Sequence, residues 1–179
     1  MKIRYKKLNQ DAKTPYKKYE GDFCYDLYAS TDAMPVYDEN GELLPNVWKY
    51  GTGIAFEIVR DREIIVKEEN NDKNSLVDNC KYIDFSKSPL KLSIDARPRS
   101  SVFKTGLILS NCEGTIDEGY TNEVCAYFYH VIPQLPIYKK GERIVQVKVG
   151  ITFPVEWEEV DDLRETDRGN GGFGSTGNK

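Results

Sequence analysis

The chain has 179 residues, of which 39% are apolar and 30% charged, with 25 basic against 29 acidic side chains and a formal charge of −4. That length holds one domain with a sizeable core and no need of a staple. The acidic balance speaks against a surface built to grip a long nucleic acid, the single histidine, His130, excludes two-histidine metal sites, and no apolar run is long enough for a membrane-spanning helix. Cys24, Cys80, Cys112 and Cys125 are widely spaced with no CxxC pair, which excludes a zinc ribbon or a thioredoxin-like site. Met1-Lys2-Ile3-Arg4-Tyr5-Lys6-Lys7 is basic with no apolar stretch behind it, so no signal peptide is expected. Reduced thiols and a cytoplasmic location, or its equivalent in a virus-infected host, follow as the expectation.

In chain order, the first candidate strand is Tyr25-Asp26-Leu27-Tyr28-Ala29, with one carboxylate at its start. Turn residues mark Asn40-Gly41. From 60 to 73 the chain is crowded with charge around Ile64-Ile65-Val66, which reads as an exposed hairpin or long loop. Leu90, Leu92, Ile94 and Ala96 alternate with Lys91, Ser93, Asp95 and Arg97, the period of a half-buried strand. Leu107-Ile108-Leu109, a glycine-bearing bend and Ile116-Asp117 then read as a hairpin, and 124–132 is rich in β-formers throughout. After the turn at Lys140-Gly141-Glu142, residues 144–151 alternate again, with Val145, Val147, Val149 and Ile151 on one side and Lys148 on the other. Residues 157–163 can form a turn or two of helix at most. No long helical stripe exists, and twelve Tyr and seven Phe suit pleated surfaces. The expected class is all-β, many short strands in a barrel or sandwich.

Five segments can carry chemistry, and each has a plain structural reading beside it. Asp26 is a lone carboxylate at a strand. Arg97-Pro98-Arg99-Ser100-Ser101 ends a strand where amides and hydroxyls can meet an anion, or simply cap a turn. Asp117, three residues before Tyr120, can take a proton from water if it stays ionised, or can be an ordinary turn carboxylate. Gly141-Glu142-Arg143-Ile144-Val145-Gln146 is a turn entering a strand. The tail, 168–179, has five glycines in twelve residues and cannot hold a fixed shape alone. Yet it carries Arg168, Phe173, Ser175 and Thr176 among those glycines: groups that wrap phosphate and stack on a base.

Taken in this order, the five segments resemble the five motifs of the homotrimeric dUTPase (dUTP diphosphatase) family. The tail and Gly114-Thr115-Ile116-Asp117-x-x-Tyr120 are the most specific pieces. The resemblance implies a β-clip or jelly-roll barrel assembled as a homotrimer with shared active sites, and a magnesium-dependent hydrolase converting dUTP to dUMP and pyrophosphate. It implies that Asp117 activates the attacking water and Tyr120 packs under the deoxyribose. The hairpin of Asn111, Gly114, Thr115 and Ile116 would read uracil. Arg99, Ser100, Ser101 and Gln146 would hold the phosphates, and Asp26 would order magnesium-bound waters. Arg168, Gly174, Ser175 and Thr176 would close over the γ-phosphate with Phe173 on the base. The expected organisation is one β domain over 1–167, with a charged insertion at 61–88 that has no counterpart in the motifs, and a flexible closing tail over 168–179.

Some positions depart from the family pattern. Cys24, Ser101 and Asn122 stand where glycine is usual, and 72 residues separate Asp26 from Arg99, an unusually long stretch. A dCTP deaminase shares the fold and the Arg-Ser-Ser segment, but needs an Arg and a Glu where this chain has Lys104 and Tyr127. The other alternative is a regulatory protein on the same scaffold, acting through 61–88. No membrane and no direct nucleic-acid partner are expected.

Overall fold

A computed structural model of the chain describes residues 2–60, 64–67, 80–83, 89–167 and 169, with the backbone alone for 64–67 and 80–83. The strands are β1 (Lys2–Lys7), β2 (Tyr25–Tyr28), β3 (Met34–Tyr37), β4 (Leu43–Val59), β5 (Ile64–Lys67), β6 (Cys80–Ile83), β7 (Lys91–Pro98), β8 (Leu107–Leu109), β9 (Gly114–Asp117), β10 (Glu123–His130) and β11 (Arg143–Thr152). A single 3₁₀ turn, Ser100–Lys104, is the helical element among the described residues, so the all-β expectation holds. No helix among them is long and apolar enough to cross a membrane.

All pairings are antiparallel. One sheet runs β1-β4-β10-β8, with β3 also on β4; a second runs β2-β11-β7-β9; β5 and β6 pair with each other, giving the charged segment the hairpin its pattern announced. The seventeen-residue β4 organises the first sheet. It takes β10 on one edge and shares the other between β3 and β1. Opposite the β10 step from Glu123 to Cys125, β4 advances from Ala55 to Gly51, so its extra residues bulge. Thr52 turns its hydroxyl inward to the Val124 carbonyl at 2.7 Å, and Gly53 takes a φ of +65°. A Cβ at Gly53 would lie 2.7 Å from that of Ala12, so glycine is required there for both backbone and space.

The core lies between the two large sheets. Tyr50, Phe128 and Tyr138 meet edge to face with centroids 5.7 to 6.2 Å apart, a favoured geometry for rings. The Tyr50 hydroxyl donates to the Tyr138 carbonyl at 3.0 Å. Burial pushes the Tyr50 phenol up to about 12, so it stays neutral. Leu27, Ile94, Ala96, Val145 and Val147 close the core from the second sheet.

Two expectations are corrected. Ile144 is fully buried beside Val145, because a bulge between Arg143 and Val145 breaks the alternation at the start of β11. Asp95, expected on the solvent side, is buried; Lys148 directly opposite it supplies an ammonium at 3.3 Å and Ser93 a hydroxyl at 2.9 Å, so the charge is paired. Residues 157–163, allowed a turn or two of helix at most, form none: Trp157 is 91% and Leu163 86% exposed. A helix that short needs a packed face, and this one has none. Cys24, Cys112 and Cys125 are free thiols, as expected.

Phe128→Ala should cost about 3–5 kcal/mol, since it empties the centre of the aromatic trio; thermal unfolding followed by circular dichroism should show a large drop in Tm, and a drop comparable to that of a surface substitution would contradict this packing.

Candidate active site

The sequence-predicted residues fall into two separate clefts. The first forms around the β8–β9 hairpin. Cys112 at its tip has a φ of +55° and donates its amide to the Leu109 carbonyl at 3.1 Å, closing the bend. Arg97 on β7 grips Glu113 at 2.6 to 2.8 Å and braces the bend against the sheet. Gly114 follows because a Cβ there would sit 2.7 Å from the Asn111 side-chain nitrogen; only glycine lets that amide fold across the hairpin. Along β9 the burial alternates, with Ile116 turned toward the core and Thr115 and Asp117 outward.

Asn111, Gly114, Thr115, Ile116, Asp117 and Tyr120 line a cleft of about 190 Å³ floored by Leu109, Ala126 and Val145. A dry cavity of about 150 Å³ accepts benzene, so this cleft holds one six-membered ring. Its apolar floor suits the faces of the ring, and the hairpin amides and the Asn111 amide suit a polar edge. Tyr120 is fixed at the rim: its amide donates to the Asp117 carbonyl at 2.9 Å and its hydroxyl to the Glu123 carbonyl at 3.0 Å. The Asp117 carboxylate is exposed and takes no side-chain hydrogen bond among the described residues. Beside it, Glu118 is bound by both Nε and Nη2 of Arg60, whose hydrogen bonds hold the Glu118 carboxyl below the usual carboxylate range.

The second cleft, about 540 Å³, is built on β11, whose neighbours are β2 and β7. Gln146 stands opposite Asp26 on β2 and Arg97 on β7, and donates its side-chain amide to the Pro98 carbonyl at 2.9 Å. Past the end of β7, Arg99 bonds Asp26 through Nε at 2.7 Å and Ser101 Oγ through Nη1 at 3.0 Å, and Ser100 opens the 3₁₀ turn. Arg143 reaches the other Asp26 oxygen at 2.9 Å. Asp26 thus sits between two guanidiniums with its charge compensated. Lys17, Lys18, Tyr16, Tyr19 and Asp22 add to the lining, and with four cations against two carboxylates the cleft is cationic on balance.

Arg143, Lys17 and Lys18 were not singled out by the sequence. Strict alternation places Arg143 and Gln146 on opposite faces; the bulge at Ile144 brings both into this cleft. Among the described residues no three carboxylate, histidine or cysteine side chains converge on one point. A divalent cation would therefore draw its ligands from a phosphate chain and water, with Asp26 able to accept from a bound water. That donor set fits magnesium, which keeps its waters and binds through few carboxylates. Arg168, Phe173, Gly174, Ser175 and Thr176 lie outside the described residues.

Within one copy Asp117 and Arg99 are apart. Asp117 pairs with Ser93 on β7, and Arg99 lies six residues further along the same strand direction, roughly 20 Å away at 3.3 Å per residue.

The dUTPase family model matches residues 56–177, well over half of the sequence. The chain belongs to the dUTPase family. It is 31% identical over 178 residues to a deoxyuridine 5′-triphosphate nucleotidohydrolase of Nautilia profundicola, covering 99% of each chain. To the enzyme of that name from Hydrogenobaculum it is 29% identical over the full length of both. The solved structure of the Staphylococcus bacteriophage 80alpha dUTPase with dUPNHPP superposes with a TM-score of 0.64 over 98% of each chain at 19% identity, so the dUTPase fold is shared.

Replacing Arg60 with Ala should lower thermal stability at neutral pH. Because the folded Glu118 carboxyl is held below its unfolded value, the contribution is complete above the unfolded pKa of about 4.3 and is lost as pH falls through the folded value. The Tm gap between wild type and Arg60→Ala should therefore shrink on titration from pH 7 to acid; a gap that persists undiminished would show that the pair is not the source.

Proposed function

We propose that this chain hydrolyses dUTP to dUMP and pyrophosphate, at sites each assembled from more than one copy of the chain in a homotrimer. The observation that carries the reading is the division of labour between the two clefts. One fits a pyrimidine ring and presents Asp117; the other is cationic and presents Arg99, Ser100 and Gln146, with Ser101 behind as a partner of Arg99. In a single copy Asp117 lies roughly 20 Å from Arg99 along β7, too far for both to serve one phosphate chain. Copies related by a closed symmetry axis can bring the ring cleft of one against the phosphate cleft of the next.

In this site uracil enters between Leu109, Ala126 and Val145, and the Asn111 amide with the hairpin backbone meets its O4 and N3 edge. Cytosine presents the reverse donor pattern at that edge and leaves buried groups unpaired, which supports discrimination of roughly 10⁴-fold or more. The thymine methyl meets the hairpin wall. Tyr120, held by its two hydrogen bonds, packs under the deoxyribose and leaves no room for a 2′-hydroxyl. Arg99 and Ser100 hold the phosphate chain, and Arg99 is itself aimed by Asp26 and Ser101. Gln146 approaches the same chain from β11.

Asp117 accepts a proton from water as the water oxygen attacks the α-phosphorus; the bond to the bridging oxygen breaks and pyrophosphate leaves. The Asp117 carboxylate is exposed on an edge strand, free of the guanidinium pairing that occupies Asp26, and so is available as a base. Magnesium, when bound, would neutralise charge on the phosphates, and Asp26 would accept a hydrogen bond from a water on it. Residues 168–179 close the site: Arg168, Gly174, Ser175 and Thr176 over the γ-phosphate and Phe173 on the uracil. Closure excludes water and aligns the attacking one.

Pyrophosphate release measured with dUTP, dCTP, dTTP and UTP should be confined to dUTP, and Asp117→Asn should abolish it while a non-hydrolysable dUTP analogue still binds; ammonia release from dCTP, or equal loss of binding and turnover in the variant, would reject the assignment. The shared site has its own test. Asp117→Asn and Arg99→Ala should each be inactive alone, and co-refolded mixtures should regain activity because some sites then draw both intact clefts from different copies. Mixtures as inactive as the parents would place the whole site within one copy.

A further inference from the structure

Asp117 ends a four-residue strand at the edge of its sheet, held by β7 alone. Its carboxylate takes no side-chain hydrogen bond among the described residues, so its aim is set by backbone. On the far side the backbone is turned by the Tyr120 amide bond to the Asp117 carbonyl. Between these two anchors lies Glu118, and its side chain is the most heavily held group of the turn.

Arg60 follows the last residue of β4, in the first sheet, and crosses to the second. Its Nη2 reaches Glu118 Oε2 at 2.7 Å while Nε takes the other oxygen, a forked pairing that fixes direction as well as distance. The same Nη2 donates to the Leu90 carbonyl at 2.7 Å. Both side chains are largely shielded, at 20% and 26% exposure, so this is not a solvent-screened surface pair. Three strand ends meet at the clamp: the end of β4, the start of β7 and the turn after β9. The segment absent from the family motifs, 61–88, leaves the chain directly after Arg60 and returns just before Leu90.

We propose that Arg60 and Glu118 are positioning residues for Asp117, locking the backbone of the reacting carboxylate to the strand ends from which the 61–88 segment departs. The proposal rests on the reading of Asp117 as the base. Neither residue lines the ring cleft or the phosphate cleft, so the pair acts through Asp117 and leaves nucleotide binding alone. Displacement of a reacting group by about 1 Å costs on the order of 10²-fold in rate, and the clamp is what restrains the turn that carries Asp117 on an edge strand.

The test uses the full chain with magnesium. Arg60→Ala, Glu118→Ala, the double variant, Arg60→Lys and Asp117→Asn are compared for kcat and KM with dUTP, and for the affinity of a non-hydrolysable α,β-imido analogue. The expected result is a fall in kcat of roughly 10- to 100-fold in each alanine variant with analogue affinity unchanged. The double variant should be no slower than the slower single one, because both remove the same contact. Arg60→Lys, which keeps the charge and one bond, should recover part of the rate. Where Arg60→Ala fails to fold, Glu118→Gln is read in its place, and the same loss of kcat at unchanged affinity is expected. Unchanged kcat, parallel loss of kcat and affinity, or additive losses in the double variant would overturn the clamp. Turnover at the wild-type rate in Asp117→Asn would instead overturn the base assignment, whereas an inactive Asp117→Asn beside fully active clamp variants rejects the clamp alone.

Discussion

The eight-residue ladder between β7 and β11, from Pro98 opposite Val145 to Lys91 opposite Thr152, is the constraint on which both clefts depend. It turns Ile94, Ala96, Val145 and Val147 into the core and sets Gln146 against Arg97. β9 is hung from the middle of β7, Ser93 to Ala96, and Arg99 with Ser100 is delivered past its end. A slip of one residue would carry every one of these side chains to the wrong face. The register is pinned on the non-core face as well. Lys148 stands opposite Asp95, Ser93 donates to the same carboxylate, and Gly150 leaves room for it, since a Cβ there would lie 2.6 Å from Asp95 Oδ2 and push the carboxylate aside. A buried charge that is fully paired in one register and unpaired in its neighbours discriminates strongly between them.

The ladder also explains how an acidic chain can handle a triphosphate. Positive charge is gathered at one end of β7 and β11, in Arg99, Arg143, Lys17 and Lys18, while Asp117, Glu118 and Glu123 lie by the other cleft. Within a copy this keeps the candidate base clear of the guanidiniums that would compensate it, as they compensate Asp26. In the proposed assembly the two ends meet only across a nucleotide, where phosphates stand between the cations and the carboxylate. The remaining surface is free to be acidic, which is why net charge alone pointed away from a polyanion partner.

Legibility followed sequence distance. The ring cleft is a local hairpin, so Asn111, Gly114, Asp117 and Tyr120 were readable as one unit. The alternation of 90–97 matches the buried positions Leu92, Ile94 and Ala96 because that strand shows this face to the core, and 124–132, rich in β-formers, contains most of β10. Reading failed where backbone irregularity or a distant partner decides. The bulge at the head of β11 buries Ile144 and redirects Arg143, and nothing in the residues 143–145 announces it. Asp95 is buried because Lys148, 53 residues away, is opposite it. Arg60 and Glu118 are separated by 58 residues, and neither carries a motif.

By itself the sequence determined the all-β class, the turn positions, the family likeness and the residue types able to take a proton or hold a phosphate, because period, glycine placement and chemical identity are local properties. Tertiary structure alone decided that these residues occupy two clefts, that Asp26 is bound by two arginines, and that Glu118 is clamped to the far sheet. Those outcomes depend on strand register and on through-space pairing across two sheets, and neither is written in any single segment of the chain.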